Sequence, residues 1–94
     1  MGNKHMVYML HCRDGSLYTG YTTDIERRIM MHETGKGAKY TRGRGPFKLV
    51  YKEELSTKTA ALQREYEIKK LHRKEKMELI QEQEGTFNEY SNEL

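Results

Sequence analysis

Tryptophan is absent from this 94-residue chain, cysteine and proline occur once each, and phenylalanine twice. A single Cys12 excludes an internal disulfide and leaves no cysteine pair to hold a structural zinc ion. Long hydrophobic runs are missing too. The apolar stretch from Met6 to Leu10 is too short for the core of a secretion signal and far too short to cross a bilayer. The chain therefore reads as soluble and cytoplasmic. Only 35% of residues are hydrophobic and mean hydropathy is −0.99, so the core must be small. The Leu, Met, Tyr and β-branched content still argues against outright disorder. Ninety-four residues leave room for one domain, which buries only about 60–65% of the surface its unfolded chain exposes.

Basic residues are missing from the C-terminal end. All 17 Lys and Arg lie at or before Lys76, against 9 acids in the same stretch, so residues 1–76 carry +8. Glu78, Glu82, Glu84, Glu89 and Glu93 follow with no base among them. We expect a folded domain over residues 1–82 and an acidic, disordered tail over 83–94. A body of +8 suits a polyanionic partner, although a plain solvated surface has the same signature.

Internal repeats and low-complexity segments are also lacking, so the elements are read one by one. Met6–Leu10 and Leu17–Thr22 are β-prone runs around Asp14-Gly15 and predict a hairpin. Thr23-Asp24-Ile25-Glu26 has the Thr-x-x-Glu form of a capping box opening a helix to about Thr34, with Gly35 as its stop. Residues 35–46 are rich in Gly and base and read as a loop. Phe47 to Leu55 reads as a third strand. Ser56 and Thr57 offer N-caps for a helix to about Leu71, and the stretch from about Lys74 to Gln83 as a further helix or its continuation. The order β-β-α-β-α-α predicts an α+β domain, helices packed on a short antiparallel sheet.

Several residues sit oddly for a purely structural pattern. On the predicted helix after Thr57, Ala61, Leu62, Ile68 and Leu71 form an apolar arc, and Glu65 lies inside it. A carboxylate facing a core is costly unless paired, protonated or bound to a metal; a salt bridge to a nearby Lys or Arg is the plain alternative. Arg28 and His32, four residues apart, share a helix face. A two-residue hairpin loop would send Tyr8 and Tyr18 to opposite sheet faces. A three-residue loop, Arg13-Asp14-Gly15, would set Leu10 opposite Tyr18 and Gly20 opposite Tyr8, placing both phenols on one face. Lys36, Lys39, Arg42 and Arg44 alternate with glycines in the loop, where backbone and side chains can both approach phosphates.

Taken together, these residues resemble the GIY-YIG nuclease superfamily, and within it the small stand-alone, YhbQ-like members. The paired short motifs stand here as Val7-Tyr8-Met9 and Tyr18-Thr19-Gly20. The likeness continues through Asp24-Ile25-Glu26-Arg27-Arg28 to His32, and through Ala61-Leu62 to Glu65. The stretch from Thr41 to Phe47 looks like that of members acting on branched DNA. Val7 and Met9 depart from the Gly and Ile of the first motif, which affects packing and leaves Tyr8 in place.

The resemblance, which spans roughly residues 5–80, implies a three-stranded antiparallel sheet flanked by helices. It also implies one catalytic site made of Tyr8, Tyr18, Arg28, His32 and Glu65, with Glu65 holding one Mg²⁺ or Mn²⁺ ion. Either tyrosine could orient or deprotonate the attacking water, and His32 either relays the proton or holds the phosphate. The activity implied is endonucleolytic hydrolysis of DNA, in branched or single-stranded structures, with Lys36, Lys39, Arg42 and Arg44 on the nucleic acid. Larger members of the superfamily commonly take specificity from an added domain or a partner subunit, so a protein partner is expected for this chain too. The rival readings are a nucleic-acid-binding module without turnover and a nuclease subunit inactive until its partner binds.

Overall fold

The computed structural model describes residues 4–92 of the chain, with side chains described through Gln83. The order is β1 (His5–His11), β2 (Leu17–Thr22), α1 (Ile25–Glu33), a 3-10 turn (Lys39–Thr41), β3 (Lys48–Leu55), α2 (Lys58–Lys70) and α3 (Arg73–Asn92). The strands form one antiparallel sheet in the order β2-β1-β3, so the domain is α+β with the expected element sequence. The expected boundary between a 1–82 domain and an 83–94 tail falls within α3, and the tail's side chains beyond Gln83 lie outside the described residues.

β1 is the central strand, which explains the unbroken apolar run Met6–Leu10: a strand covered on both faces has no side to leave polar. Successive side chains alternate between the faces. Val7 and Met9 point to one face and pack with Tyr51 of β3, Ala61 and Ile68 of α2, and Ile80 of α3. Tyr8 and Leu10, both fully buried, point to the other. There His32 of α1 meets Tyr8.

The β1–β2 turn takes the three-residue form. Cys12 N–H donates to Ser16 O at 2.9 Å and Gly15 N–H to Cys12 O at 2.9 Å. Gly15 has φ 87°, a left-handed value suited to glycine. Leu10 consequently lies opposite Tyr18 and Tyr8 opposite Gly20, so both tyrosines occupy one face as diagonal neighbours.

The helix ends refine the sequence reading. The N-cap of α1 is Asp24, whose carboxylate accepts Arg27 N–H at 3.2 Å; it is not Thr23. The Thr22 hydroxyl accepts Asp24 N–H at 3.1 Å and holds the chain extended one residue longer. A charged cap also suits the positive end of the helix dipole. α2 starts behind Thr57, whose hydroxyl accepts Ala60 N–H at 3.0 Å. It stops at Leu71, and a fresh start follows where His72 N–H donates to Glu75 Oε1 at 3.0 Å. The 74–83 segment thus belongs to a separate helix.

The apolar arc of α2 is narrower than expected. Ala61 and Ile68 are fully buried, but Leu62 is 43% exposed. Seven residues bring Ile68 almost back over Ala61, whereas Leu62 stands about 100° round the helix. On the open edge of the sheet, the Gln83 side chain accepts Lys52 N–H at 3.0 Å and donates to Lys52 O at 2.8 Å. It covers backbone groups that an edge strand would otherwise offer to another chain. Among the described residues no helix is long and apolar enough to cross a membrane.

The two α2 positions separate by measurement. Ile68→Ala should cost about 2–5 kcal/mol in denaturant unfolding, and Leu62→Ala no more than about 0.5 kcal/mol. Equal losses would mean that α2 packs on a different face.

Candidate active site

Gly20 is the floor on which the two tyrosines meet. A Cβ added there would lie 2.5 Å from the Tyr8 hydroxyl oxygen and 2.9 Å from Tyr18 Cε2, closer than real contacts allow. Their ring centroids are 6.2 Å apart. Tyr8 comes from the central strand and Tyr18 from its neighbour, so the hairpin register alone places them together.

α1 lies over this pair. His32 is 1% exposed, and its Nε2 lies 2.7 Å from the Tyr8 hydroxyl. Its Nδ1 lies 2.8 Å from Thr41 Oγ1 on the 3-10 turn. The loop closes so tightly here that a Cβ on Gly37 would overlap His32 Nδ1. Burial, and then the positive charge of Arg28, push the His32 pKa down to about 4, so the imidazole is neutral at working pH. Burial pushes Tyr8 up to about 12; the Tyr18 and Glu65 charges act in the same direction, while Arg28 opposes them. The proton shared by Tyr8 and His32 therefore rests on Tyr8. Enclosure this complete also removes His32 from direct contact with a substrate phosphate, one of the two roles its sequence position leaves open.

Arg28, one helical turn before His32, is half-buried. Hydrogen bonding with Tyr8 holds it above the ordinary arginine range, and the Tyr8 and Tyr18 charges add to this. Its Nε is buried with no hydrogen-bond partner among the described residues. A buried N–H with no acceptor is a donor suited to an incoming anion.

Glu65 completes the group from α2. Its Oε2 pairs with Lys69 Nζ at 3.0 Å, the i,i+4 salt bridge that its position inside the apolar arc made the plain alternative. Its charge is near enough to Tyr8 to help raise that pKa. The described residues contain no group of three or more His, Cys, Asp or Glu able to enclose a metal ion. One half-buried carboxylate fits a hard divalent cation that keeps most of its water shell, as Mg²⁺ does, and does not fit an all-protein cage.

The basic loop residues divide. Lys36, Lys39 and Arg42 are exposed. Arg44 is engaged within the chain: it pairs with Asp14, donates from Nε to Tyr40 O at 2.7 Å, and lies 4.4 Å from the Tyr40 ring centroid. Tyr40 in turn stacks beside Tyr18 with 6.0 Å between centroids. The loop is thereby fastened to the hairpin turn, where Arg13 N–H also donates to Arg44 O at 2.8 Å. Reading the loop for charge missed Thr41, Tyr40 and Gly37, whose roles come from what they touch. The four-residue spacing of Tyr40 and Arg44 was the one available signal.

The His32 shift has a measurable consequence. Unfolded, this imidazole titrates near 6.5; folded, near 4. Between those values only the unfolded chain takes up the proton, so stability falls as pH drops through the window. The loss is on the order of 3 kcal/mol. Unfolding curves at neutral pH and near pH 4 should show a greater loss for the wild-type chain than for His32→Gln. Equal losses in the two would assign the acid sensitivity to other groups.

Comparisons with known proteins place the chain in a family. The family model of the GIY-YIG catalytic domain matches residues 4–78. A UPF0213 protein of Oceanobacillus iheyensis is 60% identical over 84 residues, covering 89% of this chain and 98% of that one. A UPF0213 protein of Natronomonas pharaonis is 53% identical over 85 residues, covering 90% of this chain and all of the other. The solution NMR structure of a UPF0213 protein from Bacillus halodurans aligns with TM-score 0.55 at 57% identity over 82% of both chains. That of an E. faecalis protein aligns with TM-score 0.59 at 40% identity, covering 93% of this chain and 88% of the other. The match runs from the strand that carries Tyr8 through the helix that carries Glu65, and on that span the chain belongs to the GIY-YIG catalytic-domain family, a nuclease superfamily, alongside the small UPF0213 proteins.

Proposed function

We propose that this protein is a divalent-metal-dependent endonuclease that hydrolyses phosphodiester bonds in DNA. The observation that carries this reading is the Tyr8 hydroxyl bonded at 2.7 Å to a neutral, buried imidazole beside Arg28, whose buried Nε has no partner. Hydrolysis needs a water aimed in line with the leaving oxygen, relief of charge on the phosphate, and a destination for the water's proton. Arg28 supplies the second. Engaging a phosphate draws the guanidinium away from the covered Tyr8 hydroxyl and opens that oxygen to a water molecule. The phosphate also offsets the positive charge that helps depress His32.

Tyr8 then receives the water's proton as its own passes to His32 Nε2. Because the resting proton lies firmly on Tyr8, the two transfers accompany the attack and do not precede it. Tyr18, held against the other side of the pair, fixes the orientation of the Tyr8 ring. Glu65 would hold Mg²⁺ or Mn²⁺ in place of its Lys69 partner. That ion, when bound, supplies electrostatic stabilisation of the oxygens on which charge develops.

Lys36, Lys39 and Arg42 would follow the nucleic-acid backbone along the loop. Arg44 would serve the same surface by keeping the loop folded and adding its charge. A loop set beside the site suits branched or single-stranded DNA, whose backbone can leave the duplex path, and a protein partner would sharpen the choice of substrate. A binding module without turnover uses the same Arg28 and loop residues, but it has no need of Glu65.

Cleavage of labelled linear, flap and branched DNAs and of RNA, with Mg²⁺ or Mn²⁺, tests the reading. The wild-type chain should cut with metal only, and Glu65→Ala should be slower by about 100-fold or more at similar DNA affinity. No cutting by either chain, with equal binding, would replace the enzyme with the binding module.

A further inference from the structure

Three hydrogen bonds run in series away from the Tyr8 hydroxyl. It lies 2.7 Å from His32 Nε2; His32 Nδ1 lies 2.8 Å from Thr41 Oγ1; and Thr41 Oγ1 lies 2.8 Å from Ala38 O. The far end sets the direction of the whole series. A carbonyl oxygen only accepts, so the Thr41 hydroxyl donates to Ala38. Thr41 Oγ1 then accepts from His32 Nδ1–H, which leaves Nε2 bare to accept from Tyr8. The reverse order fails at both ends. It would leave two oxygens facing each other at 2.8 Å with no proton between them. It would also turn the Tyr8 proton towards Arg28, which has only donors to offer. Tyr8, His32 and Thr41 are 0%, 1% and 1% exposed, so solvent cannot repair either mismatch.

We infer that Thr41 is a positioning residue that fixes His32 as the Nδ1–H tautomer and so makes Nε2 the acceptor for the Tyr8 proton. The local fold is built to hold it. Thr41 N–H also donates to Ala38 O at 3.1 Å, anchoring the carbonyl twice within one turn. The backbone at Gly37 closes over the Nδ1 edge of the ring. Arg44 fastens the end of the same loop to Asp14 on the hairpin turn.

The kinetic consequence rests on the nuclease reading; the tautomer does not. As the water oxygen bonds to phosphorus, a water proton passes to the Tyr8 oxygen and the Tyr8 proton to His32 Nε2. The bond from phosphorus to the leaving oxygen breaks with its electron pair on that oxygen, which takes a proton from solvent. The imidazolium keeps its Nδ1–H on Thr41 throughout and later returns the extra proton to solvent through Tyr8. With the opposite tautomer Nε2 would already carry a hydrogen, and the Tyr8 proton would have no destination.

Long-range ¹H–¹⁵N spectra of the full chain, uniformly labelled and at neutral pH, read the His32 tautomer directly. Thr41→Ser keeps the hydroxyl and Thr41→Val removes it. Wild type and Thr41→Ser should show the Nδ1–H form, and folded Thr41→Val should show the Nε2–H form or a mixture. In cleavage assays Thr41→Val should lower kcat roughly tenfold or more with KM nearly unchanged, and Thr41→Ser should restore it. An Nε2–H tautomer in the wild type, or an unchanged tautomer in folded Thr41→Val, overturns the inference. If Thr41→Val does not fold, the wild-type and Thr41→Ser spectra decide. A chain without nuclease activity would remove the proposed function and leave the spectra to decide on Thr41.

Discussion

Burial of β1 on both faces is the constraint from which the rest of this domain follows. A central strand sends alternate side chains to opposite sides, so one run of five residues serves two packing layers. Val7 and Met9 anchor α2 and α3, and Tyr8 and Leu10 lie beneath α1 and its loop. The core and the candidate site are therefore not separable regions. They share a backbone, and a shift in one layer is felt in the other. This also accounts for Val and Met flanking Tyr8: their side chains fill the α2–α3 layer and do not approach the phenol.

Electrostatics in the site layer depends on the same enclosure. Arg28 and His32 are one helical turn apart on a half-buried face, where two positive charges would repel in a poorly screened setting. Burial and the guanidinium together keep the imidazole neutral, and neutrality makes it useful as an acceptor. Arg28 retains its charge at the mouth of the group, with a donor still unpaired. Among the described residues no carboxylate pairs with Arg28, which leaves its charge to a phosphate, and Glu65 is kept from adding an isolated negative charge by Lys69.

The segment between α1 and β3 turns two ways within the same fourteen residues. Its exposed Lys36, Lys39 and Arg42 face outward, while Gly37, Thr41 and Arg44 fasten it inward against His32, the hairpin turn and Tyr40. Glycine gives the backbone access to the imidazole, and threonine gives the ring a hydrogen-bond acceptor whose own proton is committed elsewhere. A loop of this composition looks mobile when judged by residue type alone. Its contacts make it the back wall of the site.

The sequence by itself determined the element types and their order, because hydrophobic periodicity, capping residues and Gly punctuation act within a few neighbours. It also nominated Tyr8, Tyr18, Arg28, His32 and Glu65 as candidates, through ordered short motifs and the anomaly of a carboxylate in an apolar arc. It offered the three-residue hairpin loop but left a two-residue loop open, since that choice depends on which register packs. Asp24 capping in place of Thr23 was a one-residue matter decided by a side-chain bond from Thr22. The exposure of Leu62 was decided by where α2 meets the sheet. Only the tertiary structure could turn His32 from a possible phosphate contact into an enclosed link between Tyr8 and Thr41, or Arg44 from a free cation into a brace. Those roles arise from contacts between residues far apart in the chain, and no local pattern encodes a distance across the fold.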